Sequence, residues 1–331
     1  MTVRLLSGLL LCLSPLWVLA ADRPVAIALH GGAGTIERDR MNAEVEADYR
    51  SFLDRAISDG YHQLKAGKEG LDVVVTIIQR MEDSPLFNAG KGSVYTWDGK
   101  NELDASIMHG ADMDAGAVAG VTTVQSPIAL ARAVMEQSPH VMLASKGAEQ
   151  FARELGIPEV SPAYFETDRR KRALKSYKAL KQAGLEPHVD YKFGTVGVVV
   201  LDSKGNLVAG TSTGGMTGKR WGRIGDAPVI GAGTYADNRS CAVSATGHGE
   251  YFIRHTVARD ICARIEFAGQ SLKEAAESVV MEDLVVAGGD GGIIAVDTSG
   301  EVSMVFNTPG MYRASISGSG DKRIGIFGDE P

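Results

Sequence analysis

The stretch Lys192-Phe193-Gly194-Thr195-Val196-Gly197-Val198-Val199-Val200-Leu201 decides how this chain is read. A glycine–threonine pair stands where a polar segment meets an apolar run of β-branched residues, the signature of a strand buried on both faces. Threonine is a weak nucleophile without a base beside it. Chain cleavage before Thr195 would supply one, because a new α-amine has a pKa of about 8. Gly194 favours such a cut, having no side chain to shield its carbonyl. Attack by the Thr195 hydroxyl would shift the acyl group from nitrogen to oxygen, and water would complete the break.

Downstream, Gly197 to Met216 aligns without gaps to Gly292 to Met311, with Asp202 matching Asp297, Gly205 matching Gly300 and Thr213 matching Thr308. Each copy reads strand, Asp-x-x-Gly turn, strand, which predicts two β-hairpins. Two copies are too few for a solenoid. Helical patterns over 255–267 and 271–280 lie between them. Upstream, Val25 to Leu29 reads as a buried strand entering His30-Gly31-Gly32-Ala33-Gly34, and helices are expected over 43–65, 71–81, 127–135 and 145–155, with a loop over 84–92. Hairpins covered by helices make an α+β sandwich. The polar stretch 161–194, rich in Arg and Lys, is expected to be an exposed, mobile linker containing at most a short helix.

Composition narrows the function. A net charge of −7 argues against general nucleic-acid binding, and 40 glycines with 6% aromatic residues suit a site lined by backbone groups. Residues 1–20 read as a secretory signal, with Arg4 before an apolar run broken by Ser14 and Pro15 and a small-residue end at Ala20, so an exported protein without a membrane anchor is expected. Cys241 and Cys262 are read as reduced, buried thiols, one bridge between them being the alternative. Gly32-Ala33-Gly34 lacks the third glycine of a dinucleotide loop, Gly218-Lys219 ends no P-loop, no G-x-S-x-G is present, and no two histidines have zinc spacing. Threonine chemistry remains. Thr213 can approach Thr195 across paired strands. Arg223 and Asp226, three residues apart among glycines, offer a fork for a carboxylate and an acceptor for an amine. Thr246-Gly247-His248-Gly249 offers a hydroxyl and backbone N–H groups for an oxyanion.

The sequence resembles the plant-type asparaginases, or isoaspartyl peptidases, of the N-terminal nucleophile hydrolases. The resemblance runs through His30 to Gly34, Phe87-Asn88-Ala89-Gly90-Lys91-Gly92, Glu102 to Ala105, Ala115 to Gly120, Gly194 to Gly197, Thr211 to Met216, Gly222 to Asp226, Thr246-Gly247 with Gly249-Glu250, and Asn307-Thr308 with Gly310-Met311. It implies a four-layer αββα sandwich, a single domain whose chain splits into an α subunit, 21–194, and a β subunit, 195–331, paired as a dimer of αβ heterodimers. It implies Thr195 as nucleophile and base, Thr213 as its orienting partner, and Thr246 with the Gly247 N–H as oxyanion hole. Arg223 would hold the substrate α-carboxylate, and Asp226 with the Gly249 carbonyl its α-amine. No catalytic cofactor is implied, only a structural sodium ion on the backbone carbonyls of Glu82, Ser84, Phe87, Ala89 and Lys91. The implied substrates are isoaspartyl dipeptides and L-asparagine, with no nucleic-acid or membrane partner. Glycosylasparaginase, of the same fold, is the nearer alternative, and a secreted amino-acid-binding protein without catalysis the farther one.

Overall fold

The computed structural model describes residues 23–185 and 194–330; the expected leader, Cys12 and the last part of the polar stretch lie outside them. The strands are β1 (Ala26–Gly34), β2 (Leu103–His109), β3 (Ala115–Val121), β4 (Met142–Ala144), β5 (Val196–Leu201), β6 (Leu207–Thr213), β7 (Thr234–Ala236), β8 (Cys241–Gly247), β9 (Gly291–Asp297), β10 (Val302–Phe306), β11 (Gly310–Ile316) and β12 (Lys322–Phe327). The helices are α1 (Ala43–Lys65), α2 (Gly70–Glu82), α3 (Pro127–Gln137), α4 (Ser145–Glu154), α5 (Asp168–Gln182), α6 (Gly249–His255), α7 (Val257–Ala268), α8 (Leu272–Glu277) and α9 (Leu284–Val286).

The strands form two sheets, one ordered β12-β11-β1-β5-β6-β2-β3-β4 and the other β10-β9-β8-β7. Alternation along β5 explains the layering. Val196, Val198 and Val200 pack with Leu53, Ile57, Val74 and Ile77 of α1 and α2. Val199 and Leu201 turn the other way, into the apolar layer that contains Val243 and Ile293 of the second sheet. Helices α7 and α8 cover that sheet's far side with Ile261 and Ala275. The result is the αββα order that the resemblance implies.

The internal repeat gives one hairpin to each sheet. In the first, Val196 pairs with Ser212 and Leu201 with Leu207; in the second, Gly292 pairs with Phe306 and Val296 with Val302. Both turns close the same way. Asp202 Oδ1 accepts the N–H groups of Lys204 and Asn206, each at 2.9 Å. Asp297 Oδ1 accepts those of Ser299 and Glu301, at 2.8 and 3.0 Å. Gly205 and Gly300 stand at φ +87° and +82°, where a side chain would be strained.

Two expectations are corrected. The stretch expected to be an exposed linker contains the long helix α5, capped by Thr167, whose side chain accepts the Arg170 N–H. This helix docks onto the body. Arg169 donates to the carbonyls of Pro85 and Leu86, Arg170 donates to that of Gly92, and Leu174 is buried. Charge density hid these anchors, because each arginine binds a backbone carbonyl instead of water. Cys241 and Cys262 are buried as expected but joined in a disulfide. Helix α7 lies across β8 and brings their Cα atoms to 5.4 Å.

The bridge closes a loop over a separation of 21 residues, for which chain entropy gives about 3 kcal/mol of stability. Replacing both cysteines by alanine should lower the thermal midpoint by several degrees, measured by calorimetry in the absence of reductant.

Candidate active site

The apolar pattern of β5 forces Thr195 to the start of a central strand, and hairpin pairing brings the end of β6 beside it. The Thr195 Oγ1 lies 3.0 Å from Thr213 Oγ1 and 2.8 Å from the Gly194 carbonyl oxygen. Thr213 Oγ1 accepts the Gly215 N–H at 3.0 Å and reaches the Gly194 oxygen at 3.1 Å. A hydroxyl has one proton and two lone pairs. The consistent assignment has Thr195 donating to Thr213 and Thr213 donating to the Gly194 carbonyl.

A third donor completes this cluster. Asn88 Nδ2 donates to the Gly194 oxygen at 2.7 Å and to the Gly215 oxygen at 2.8 Å, while its own Oδ1 accepts the Val94 N–H at 2.8 Å. The carbonyl before the threonine is therefore polarised by a fixed amide and a fixed hydroxyl, the arrangement an oxyanion requires. The walls permit it only because they are bare. A Cβ on Gly32 would come within 2.7 Å of Gly194 Cα, and one on Gly194 within 2.7 Å of Asn88 Cβ. The motif His30 to Gly34, unsuited to a dinucleotide, thus lies against the Gly194–Thr195 peptide.

Behind Thr195 runs a buried polar row. His30 Nδ1 is 3.1 Å from the Thr195 carbonyl oxygen, which can only accept, so Nδ1 carries the proton. His30 Nε2 then accepts from Ser244 at 3.1 Å. Burial pushes His30 down to about 3, so the ring is neutral. The row continues from Ser244 to Thr211 at 2.7 Å, from Thr211 to Thr234 at 2.6 Å and from Thr234 to Ser106 at 2.8 Å. Ser106 Oγ also lies 2.6 Å from the carbonyl oxygen of Ala227, the residue after Asp226.

Thr195, Thr213, Arg223, Asp226 and Gly247 line one small pocket. Arg223 does not pair with Asp226. Its Nε and Nη2 form a fork on Glu250, both contacts at 2.9 Å. Burial raises Glu250, but the Arg223 hydrogen bond and charge outweigh that and hold the carboxyl below its usual range. Asp226 is buried, and its Oδ2 has no hydrogen-bond partner among the described residues. Burial pushes it up to about 7. Gly249 is a glycine for a steric reason: a Cβ there would meet Asp226 Oδ1 at 2.8 Å and Arg223 Nη2 at 3.0 Å. Thr246 is fully buried at the end of β8, outside the pocket's immediate lining, and its hydroxyl accepts the Ala33 N–H at 3.3 Å.

The loop expected to hold sodium is tightly turned, with Gly90 at φ +48° and Gly92 at φ +96°. The Phe87 and Pro85 carbonyl oxygens both lie 2.8 Å from where a Gly92 Cβ would be. The Glu82 carbonyl takes the Lys91 N–H at 2.6 Å. Its carboxylate faces away, accepting from Ser126, Ser212 and the Ile128 N–H. No cluster of His, Cys, Asp or Glu among the described residues could hold a metal ion.

Sequence reasoning left Asn88, His30 and Glu250 without roles. Their motifs carried the resemblance, but only the fold shows that Asn88 holds the carbonyl before Thr195 and His30 the carbonyl of Thr195 itself.

The Asp226 carboxyl has a stability consequence. Its folded pKa lies above the unfolded value, so its contribution to stability is complete below about pH 4 and is lost as pH rises through about 7. Asp226→Asn should therefore raise the thermal midpoint at pH 8 by several degrees relative to the parent and leave it nearly unchanged at pH 4, followed by scanning fluorimetry.

Residues 23–326 match the family model described as Asparaginase. A protein of Escherichia coli strain K12 named isoaspartyl peptidase is 50% identical over 293 residues, covering 87% of this chain and 91% of its own. An Arabidopsis thaliana protein named probable isoaspartyl peptidase/L-asparaginase 2 is 42% identical, covering 91% and 98%. A Homo sapiens protein named isoaspartyl peptidase/L-asparaginase is 42% identical, covering 93% and 97%. These matches correct the expectation of export, which rested on residues 1–20 alone. The bacterial, plant and human relatives are named as isoaspartyl peptidases with no exported role, and residues 1–20 lie outside the described part of the chain. No described helix is long and apolar enough to cross a membrane. Family match, relatives and layered fold agree, and the chain belongs to the asparaginase family.

Proposed function

We propose that this chain is a self-processing threonine hydrolase that cleaves β-aspartyl dipeptides and the side-chain amide of L-asparagine, releasing L-aspartate. The observation that carries this reading is the paired grip on Thr195 and the Gly194 carbonyl. In the first reaction the Thr195 oxygen attacks the Gly194 carbonyl carbon. Asn88 and Thr213 stabilise the oxyanion, the Gly194–Thr195 C–N bond breaks, and the nitrogen takes the hydroxyl proton. Water then hydrolyses the ester, leaving a Gly194 carboxylate and a free Thr195 amine.

In the second reaction that amine is the base. It accepts the Thr195 hydroxyl proton as the oxygen attacks the side-chain carbonyl of the substrate, and gives it to the leaving amine. Water then frees aspartate from the Thr195 ester. Arg223 binds the α-carboxylate, which competes with Glu250 for the guanidinium. The unpartnered Asp226 Oδ2 accepts from the α-ammonium, which lowers the carboxyl from its raised value, and the Gly249 carbonyl supplements it. Thr246 and the Gly247 N–H serve the second oxyanion. The carbonyls of Ser84, Phe87, Ala89 and Lys91, with that of Glu82, would hold a sodium ion that stiffens the loop carrying Asn88. Two αβ units pair into a heterotetramer in this reading.

Aspartate release from β-aspartyl-leucine and L-asparagine, compared with a glycosylated asparagine, tests the assignment. Cleavage of the first two is expected, and preferential cleavage of the third would move the protein to the glycosylasparaginase branch. Thr195→Ala should remain one chain and be inactive. Asn88→Ala should still fold but slow self-cleavage by about 10²–10³-fold, as loss of one oxyanion donor does, followed on denaturing gels. Both cysteines lie after Thr195, so the fragments should separate without reductant. Ionised Asp226 accepts from the ammonium far more strongly than the neutral acid, so kcat/KM for asparagine should rise with pH through about 7.

A further inference from the structure

A second cavity, of about 150 Å³, borders the scissile peptide on the side away from Arg223 and Asp226. It shares only Gly194 with the pocket over Thr195. Its walls include Gly32, Tyr49, Tyr312, Arg169 and Arg170, and no acidic residue. Tyr49 and Tyr312 stack at 3.9 Å and form one side.

The two arginines differ in what remains open on them. Arg169 is exposed and committed to the Tyr49 hydroxyl and to the carbonyls of Pro85 and Leu86, at 3.3, 3.2 and 2.8 Å. Half-buried Arg170 uses only Nε, on the Gly92 carbonyl at 2.7 Å. Its two terminal nitrogens have no hydrogen-bond partner among the described residues. Burial and the adjacent Arg169 charge push it down to about 10, so it is charged at neutral pH and uncompensated. Such a fork matches a carboxylate.

The reaction places a carboxylate nearby. The leaving amine takes its proton from the Thr195 nitrogen and must lie against it. That nitrogen is 3.2 Å from where a Gly32 Cβ would stand, on the wall of this cavity. In a β-aspartyl dipeptide the leaving nitrogen belongs to an amino acid whose α-carboxylate is one carbon further on. From asparagine the leaving group is ammonia, which has none.

We infer that the cavity between α1 and α5 is the subsite for the leaving residue, and that Arg170 binds that residue's free α-carboxylate once Gly194 is cut loose. The inference rests on the hydrolase reading above and sets its substrate class: dipeptides with a free C-terminus, ahead of longer chains. The competing source of the same chemistry is the chain's own Gly194 carboxylate.

Kinetics with β-aspartyl-leucine and β-aspartyl-leucine amide separate these. The mature enzyme should favour the free acid by about tenfold in kcat/KM, as expected for a hydrogen bond to a charged group. Arg170→Met, normalised to the amount of fragment beginning at Thr195, should bring the ratio close to one. Equal cleavage of acid and amide by the unmodified enzyme overturns the subsite, as Gly194 occupancy would produce, and leaves the hydrolase reading standing. A preference that survives Arg170→Met also overturns it. Cleavage of neither compound overturns the hydrolase reading and the subsite with it.

Discussion

The hydrogen bonds at the Gly194 carbonyl are the constraint on which the rest of the structure depends. One oxygen receives the Asn88 amide and the Thr213 hydroxyl, and the same hydroxyl accepts from Thr195. Satisfying this geometry requires the loop after α2, the end of β6 and the start of β5 to meet within hydrogen-bond distance. Buried polar groups left unpaired are costly, so these contacts tie the loop to the hairpin.

The buried row from His30 to Ser106 extends this constraint through the space between the sheets. Polar residues there would be expensive in isolation. The neutral imidazole fixes the direction of the row: Ser244 gives its proton to the ring, and Thr211, Thr234 and Ser106 each donate to the hydroxyl before. It runs from the carbonyl of Thr195 to the loop after Asp226. Thr195 and the segment that carries Asp226 are thereby held to one another through side chains. Small residues make room: a Cβ on Gly197 would meet Ser244 Oγ at 2.0 Å and His30 Nε2 at 2.3 Å.

Much of the fold was legible in the sequence because it rests on local rules. The repeat with Asp202 and Asp297 encodes two hairpins by turn chemistry, and the valines of β5 encode a strand covered on both sides. The positions of α1 and α2 follow from their periodicity. What the sequence concealed depends on contacts distant in the chain. Helix α5 looked like solvated charge because its anchors, the carbonyls of Pro85, Leu86 and Gly92, lie far upstream. The disulfide depends on α7 crossing β8. Arg223 and Asp226 were readable as a pair of candidates, but not the occupation of the guanidinium by Glu250. Asn88 and His30 could be quoted within motifs, yet their meaning appears only when they are seen on the carbonyls of Gly194 and Thr195.

A self-processing threonine hydrolase requires Thr195 to become a chain terminus by its own reaction. N-terminal sequencing of the smaller fragment from freshly purified protein tests this directly. A fragment beginning Thr195-Val196-Gly197 is the predicted result. An uncut chain that nevertheless releases aspartate from β-aspartyl-leucine would contradict it.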